Sequence, residues 1–194
     1  MNEVIKNILE RHSVRKFIGE QIEDAKLEQI IEAGLYAPNA GSRQSAIIAI
    51  CQDKEINRIL GKHNASAFKG KISTSTTYIS KEQPSIADDP NLRDGFYGAS
   101  TVLTLFASKN FIYSEMDCCV MAENMILAAH SLGIGSCFVG RAVETFSCDL
   151  GQEILKKWEI PFECRAFLHV VLGYPASAQT INRKIRKKGR VRRI

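Results

Sequence analysis

The stretch of sequence that most restricts the fold is residues 118–140, CCVMAENMILAAHSLGIGSCFVG. Its first part, Cys118–Leu132, is apolar on almost every side, which is typical of a helix that is buried all round. Ser114 and Asp117 just before it resemble a capping box, so the helix is predicted to begin there. Gly133 is placed to end it, and the glycine-punctuated residues after it predict an extended segment. We therefore expect a buried central helix followed by a strand.

Shorter periodic segments on both sides of this helix predict the remaining elements. Apolar residues at helical spacing predict helices at residues 2–11, 23–37, 53–60 with Gly61 as its cap, and 150–158. Apolar and β-branched runs predict strands at residues 46–51, 99–107 and 166–172. Residues 61–95 lack such a pattern and are predicted to form a lid or excursion. Few, short strands among helices indicate an α+β or three-layer class in one domain.

Composition places the chain among ordinary globular proteins. Its 194 residues are 45% apolar and 24% charged, which is enough for one sizeable core. No apolar run approaches the roughly 20 residues of a membrane span, and the N-terminus lacks the basic and apolar regions of a signal peptide. The six cysteines lack zinc-ligand or C-x-x-C spacing and are predicted to be reduced core residues. These features predict a cytoplasmic protein.

Motifs of hydrolysis and of classical dinucleotide binding are absent from the sequence. There is no G-x-S-x-G and no H-E-x-x-H, and the four histidines are scattered without ligand spacing. Gly133-Ile134-Gly135 opens like a dinucleotide fingerprint, but Phe138 interrupts it and a helix precedes it. His130 and His169 are interpreted as satisfied core or edge histidines, and no metal site is predicted.

The net charge of +5 comes from a short C-terminal segment. Residues 183–193 hold eight of the 26 basic residues and none of the 21 acidic ones, so the rest of the chain is slightly acidic. Val191 and Ile194 are apolar, and Lys184-Ile185-Arg186 alternates cationic and apolar residues as a packed strand would. Two interpretations stay open: a docked tail that delivers cations to a phosphate, or a free basic arm that binds nucleic acid through counterion release.

Two other segments carry groups that a phosphate-bearing ligand needs. Arg11-His12-Ser13-Val14-Arg15 places two guanidiniums and a hydroxyl at the end of the first predicted helix, and arginine suits bidentate phosphate contacts. The loop Pro38–Gln44 offers amide, hydroxyl and backbone donors, which suit a planar heterocycle with carbonyl groups. A solvated turn and an ordinary helix-to-strand loop are the alternatives for these segments.

Four motifs together resemble the FMN-dependent nitroreductase family in order and spacing. They are Arg11–Phe17, Ala37–Gln44, Leu132–Gly140 and Leu172–Pro175, and the basic C-terminal segment follows them. The resemblance covers nearly the whole chain. It implies a three-layer α/β/α fold of the α+β class with a short mixed, mostly antiparallel sheet, as a single nitroreductase-like domain over residues 1–194.

The resemblance also implies the cofactor and the residues around it. FMN is the implied cofactor, with NADH or NADPH as electron donor, in a homodimer whose two flavin sites lie at the subunit interface. The residues implied at the phosphate and ribityl chain are Arg11, His12, Ser13, Arg15, Lys184 and Arg186. Those implied at the flavin ring are Pro38, Asn39, Ser42 and Gln44 from the partner subunit, together with Asn64, Val139, Gly140 and Arg141.

The activity implied by the resemblance is a two-stroke hydride transfer. NAD(P)H passes hydride to flavin N5, and a nitroaromatic, quinone or similar small acceptor is then reduced in the same place by a ping-pong cycle. Because the flavin carries the chemistry, no catalytic side chain is predicted. Two alternatives stay open: a nucleic-acid-binding module that uses the basic tail, and a flavoprotein on the same scaffold with no turnover or with a specialised dehalogenase or dehydrogenase activity.

Overall fold

A four-stranded sheet lies between two layers of helices in the computed structural model, which describes residues 1–68, 91–177, 186 and 188–194. The strands are β1 (Ile47–Cys51), β2 (Thr101–Ser108), β3 (Gly135–Val139) and β4 (Cys164–Gly173). The helices are α1 (Glu3–Glu10), α2 (Asp24–Leu35), α3 (Lys54–Phe68), α4 (Ser114–Ser131) and α5 (Asp149–Lys157). The order and type of the predicted elements are confirmed.

The strands lie in the order β1-β2-β4-β3, and all three neighbouring pairs are antiparallel. A parallel bridge joins Ser13 to Ser136 of β3, so the N-terminal segment supplies the mixed character that was expected of the sheet. The α+β class and the mostly antiparallel sheet are therefore confirmed.

Side chains of the central strands alternate between two apolar cores. Leu103 and Leu105 of β2 face a core that includes residues of α2 and α4, whereas Val102 and Phe106 face a second core with residues of α3 and α5. This alternation is the period-two pattern of a strand covered on both faces. The three-layer arrangement is confirmed.

Helix α4 is the central helix that the sequence predicts, but it is buried along one side and not all round, since Met116 is 60% exposed and Val120 38% exposed. Cys118, Ala122 and Met125 are fully buried along it. Gly133 ends the helix with a φ of 73°, while its amide donates to His130 O and the Ile134 amide donates to Ala129 O. This is a Schellman motif, which explains why a glycine stands at this position.

One predicted helix boundary and one predicted helix cap are wrong. Helix α3 continues through Gly61 to Phe68, because the missing side chain lets Asp94 approach; a Cβ on Gly61 would lie 1.9 Å from Asp94 Oδ1. Ser114 and Asp117 form no capping box, because Asp117 Oδ1 instead accepts the Ala40 amide at 3.0 Å. In both cases a contact distant in sequence replaces a local signal.

Most of the excursion predicted at residues 61–95 lies outside the described residues, since only 61–68 and 91–95 are described. The six cysteines all fall within the described part and are unpaired, in agreement with the prediction of reduced thiols. In the described residues, no helix combines the length and the apolar character that crossing a bilayer requires.

Candidate functional site

The segment that carries Arg11 and Arg15 is fixed by backbone hydrogen bonds to the ends of β3 and β4. The Val14 amide donates to Ser136 O at 2.8 Å, and the Ile18 amide donates to Tyr174 O at 2.9 Å. A Cβ on Gly135 would lie 3.0 Å from Val14, so this glycine allows the segment to lie against β3. The hydrogen bonds fix the backbone on both sides of Arg15.

Two arginines and one hydroxyl lie near a buried thiol of β3. Arg15, Ser13 and Arg11 each act to lower the pKa of the Cys137 thiol, which places all three within interaction range of it. Burial raises the pKa of Cys137, and these neighbours oppose only part of that effect, so the thiol stays protonated at neutral pH. The structure therefore brings together three of the predicted phosphate-binding residues, Arg11, Ser13 and Arg15.

A residue that sequence reasoning missed lies beside the same cluster. The guanidinium carbon of Arg15 is 5.9 Å from the ring centre of Tyr97, which is a cation–π distance. Burial raises the pKa of the Tyr97 phenol, so it too is neutral at physiological pH. Tyr97 follows the unpatterned region and has a φ of 57°, and nothing in the local sequence signals its position.

His12 lies toward helix α4. Its Nδ1 is 3.1 Å from Glu10 O, and its ring packs edge-on against His130 with centroids 6.3 Å apart. Burial lowers the pKa of His130, and the nearby His12 lowers it further. The structure thus gives His12 a packing partner in α4, whereas Ser13 and Arg15 interact with Cys137.

The loop Pro38–Gln44 is exposed and has a defined shape. Asn39 Oδ1 accepts the Gln44 amide at 2.9 Å, and the Ala40 amide is held by Asp117 of α4. Ser42 and Gln44 both adopt a positive φ, of 51° and 49°. Pro38, Ser42 and Gln44 are exposed.

The segment Val139–Arg141 lies at the end of β3 and contacts the buried side-chain amide of Asn64. Asn64 is 1% exposed, and its Nδ2 donates to Arg141 O and to Thr145 Oγ1, both at 2.7 Å. Gly140 is exposed, and Val139 and Arg141 are partly so. Asn64 therefore touches the predicted site segment from the interior of the chain.

The C-terminal tail is only partly described. Lys184 lies outside the described residues, and Arg186 is exposed. Val191 is 72% exposed and Ile194 is fully exposed, so the described part of the chain does not bury the apolar side chains that a docked tail would bury.

An apolar surface on α1 is uncovered in the single chain. Val4, Ile5, Ile8 and Leu9 are between 46% and 66% exposed, and no residue of α1 is buried. Helix α1 contacts α4 through Asn7, whose Nδ2 donates to Leu127 O at 2.9 Å. The sequence predicts an amphipathic helix, but the structure shows that its apolar side faces outward.

Comparisons with known proteins agree on one family. The sequence model of the nitroreductase family matches residues 8–174. A relative from Bacillus subtilis named FMN reductase [NAD(P)H] is 40% identical over 91% of this chain and 67% of its own length.

Solved structures show the same fold. A Bacteroides fragilis nitroreductase with bound FMN superposes with a TM-score of 0.80 at 27% identity, covering 100% of both chains. A Desulfitobacterium hafniense nitroreductase with bound FMN has a TM-score of 0.79 at 23% identity, covering 100% of this chain and 99% of its own.

Proposed function

The chain belongs to the nitroreductase family, and from this premise we propose that it is an FMN-dependent oxidoreductase. It takes hydride from NADH or NADPH and delivers it to a small acceptor such as a nitroaromatic or a quinone. The B. subtilis relative is named as an FMN reductase that uses NAD(P)H, and the B. fragilis structure contains FMN.

The observation that carries the proposal is the cluster of Arg11, Ser13 and Arg15 against β3. Two guanidiniums and one hydroxyl form a donor set suited to a phosphate with two negative charges. The neighbouring Cys137 and Tyr97 stay neutral because burial raises the pKa of each, so neither adds a negative charge that would repel the phosphate. The residues present therefore fit FMN.

The side chains of the protein bind and orient, and none is assigned a proton-transfer step. FMN, when bound, supplies the hydride chemistry between the nicotinamide and the acceptor. Arg11, Ser13 and Arg15 hold the phosphate end, while Val139–Arg141 presents backbone groups beside the flavin ring. The hydrogen bonds that fix Val14 and Ile18 keep this donor set in place before the cofactor arrives, which reduces the entropy cost of binding.

A homodimer with shared flavin sites accounts for two exposed features. The apolar surface on α1 is of the kind that monomeric proteins normally cover. The Pro38–Gln44 loop is ordered by hydrogen bonds within its own chain, and Pro38, Ser42 and Gln44 remain exposed on it. We place Pro38, Asn39, Ser42 and Gln44 against the flavin of the partner subunit.

We assign Lys184 and Arg186 to the phosphate as additional cations. Because the described tail residues are exposed on their own chain, the surface that receives the tail belongs to the partner subunit in this proposal. The unpaired thiols are compatible with the reducing cytoplasm, where we place the protein.

Removing the tail distinguishes this assignment from the nucleic-acid alternative. Truncation after Ser177 is expected to weaken FMN binding and to lower the melting temperature of the FMN-loaded protein together, since a ligand that binds only the folded state stabilises it. Differential scanning calorimetry and an FMN titration measure the two effects. If the truncated protein keeps its FMN affinity and its melting temperature and loses only salt-sensitive binding to polyanions, the tail is a free basic arm.

The visible spectrum of the purified protein tests the proposal as a whole. We expect the near-ultraviolet and blue bands of bound oxidised flavin, or their appearance after incubation with FMN and removal of the excess. A folded dimer that stays colourless after this treatment overturns the assignment of FMN.

A further inference from the structure

A chain of buried hydrogen bonds runs from the middle of the sheet to the predicted flavin site. His169 of β4 is fully buried, with Nδ1 2.8 Å from Thr104 Oγ1 and Nε2 2.9 Å from Thr145 Oγ1. Thr145 is also fully buried and accepts from Asn64 Nδ2, which in turn donates to Arg141 O. The network thus links two strands, a short 3-10 turn and the site segment.

Burial keeps the His169 ring neutral. It lowers the pKa of His169 to about 3, so the ring offers one donor and one acceptor. One of the two threonine hydroxyls therefore donates to the ring and the other accepts from it, and either arrangement leaves Thr145 Oγ1 able to accept from Asn64 Nδ2.

Asn64 is held on every side within its own chain. Both of its amide bonds are made to Thr145 and Arg141, and a Cβ on Gly95 would lie 2.1 Å from its Oδ1. Its amide nitrogen therefore has both of its protons engaged, and its oxygen packs against Gly95. This environment differs from that of a side chain exposed to a ligand.

We propose that Asn64 is a positioning residue for the segment Val139–Arg141. Thr145, which is itself bonded to His169, holds the Asn64 amide in place. The same amide donates to the Arg141 carbonyl and so fixes the segment. The role of this segment in FMN binding rests on the proposed function. The fixing of Arg141 by Asn64 is independent of that function. Asn64 and Thr145 lie 81 residues apart, so the bond ties helix α3 to the turn that follows the segment.

Two threonines provide a matched pair of variants. Thr145→Val removes the hydroxyl that holds both Asn64 and His169, while Thr104→Val removes only the far end of the network and leaves Asn64 bonded. Both positions are buried, and each variant leaves one ring nitrogen of His169 without its hydroxyl partner. Only Thr145→Val is expected to release the Arg141 segment.

Trypsin provides a measurement that needs no cofactor, because it cleaves after Arg141 itself. We expect Thr145→Val to speed cleavage at Arg141 of the FMN-free protein about tenfold over wild type, with the fragment identified by mass spectrometry. Thr104→Val should stay within about twofold, and Thr145→Ser should restore the wild-type rate. Gly95→Ala, whose added methyl displaces Asn64, carries the same expectation as Thr145→Val and serves if that variant does not fold.

An FMN titration of the same variants connects the segment to the cofactor. Thr145→Val is expected to raise the FMN dissociation constant about tenfold and Thr104→Val less than twofold. Equal changes in the two valine variants, or unchanged trypsin cleavage in both Thr145→Val and Gly95→Ala, overturn the proposal. If the trypsin contrast holds but wild-type protein binds no FMN, the positioning network stands and the proposed function fails.

Discussion

Replacing Arg15 by alanine is expected to weaken FMN binding between about tenfold and a hundredfold. The substitution removes a charge-assisted hydrogen bond to a phosphate, which contributes roughly 1.5–3 kcal/mol. Arg11→Ala removes the second guanidinium of the cluster and carries the same expectation. Because Arg15 lies on the surface, the fold itself should lose little stability. Titration of the apoprotein with FMN, followed by quenching of flavin fluorescence, measures the dissociation constants.

Lys16→Ala is the matched control for this experiment. It removes one positive charge from the neighbouring residue, which is also exposed, without touching the cluster around Cys137. It should change FMN affinity by less than about twofold once salt screens the general charge effect. Arg15→Lys should give an intermediate loss, since it keeps the charge but not the planar donor geometry. Unchanged affinity in both arginine variants would contradict the phosphate assignment.

Placing glutamates on the apolar surface of α1 is expected to separate the dimer and to release FMN with it. The double variant Ile5→Glu/Ile8→Glu puts two unpaired carboxylates into the proposed interface, which costs several kcal/mol when they lose water. This corresponds to at least about a hundredfold weaker dimerisation. Both side chains are exposed in the single chain, so the monomer should fold. Sedimentation velocity, recorded in the blue flavin band, reports mass and FMN content together.

Phe162→Glu serves as the control, because Phe162 is 91% exposed and lies just before β4, in a different part of the structure from α1. It should leave both dimer and flavin intact. A double variant that remains dimeric would remove α1 from the interface. A monomer that retains all of its flavin would show that each site is built within one chain.

The sequence anticipates the parts of the fold that depend on local patterns. The apolar run before Gly133 predicts α4, which buries one side against the core, and Gly133 marks its end because only glycine adopts the left-handed conformation without cost. The prediction fails where a distant contact decides. Gly61 lies inside α3 because Asp94 packs against it, and Asp117 binds the Ala40 amide in place of a helix cap.

The candidate site shows the same division. Arg11, Ser13 and Arg15 are separated by few residues, so their common location follows from the sequence. Tyr97 joins them only through the folding of a region without pattern, and the environment of Asn64 depends on residues more than 70 positions away. The exposure of Val191 and Ile194 in the described structure does not follow from their apolar character, because burial depends on which surface lies beside them.

Anaerobic mixing of the FMN-loaded protein with NADH or NADPH tests the account most directly. The proposal that this chain is an FMN-dependent oxidoreductase predicts that the blue absorption band bleaches with one or both nicotinamides and returns when a nitroaromatic or a quinone is added. A protein that holds stoichiometric FMN but whose spectrum neither nicotinamide changes would contradict it.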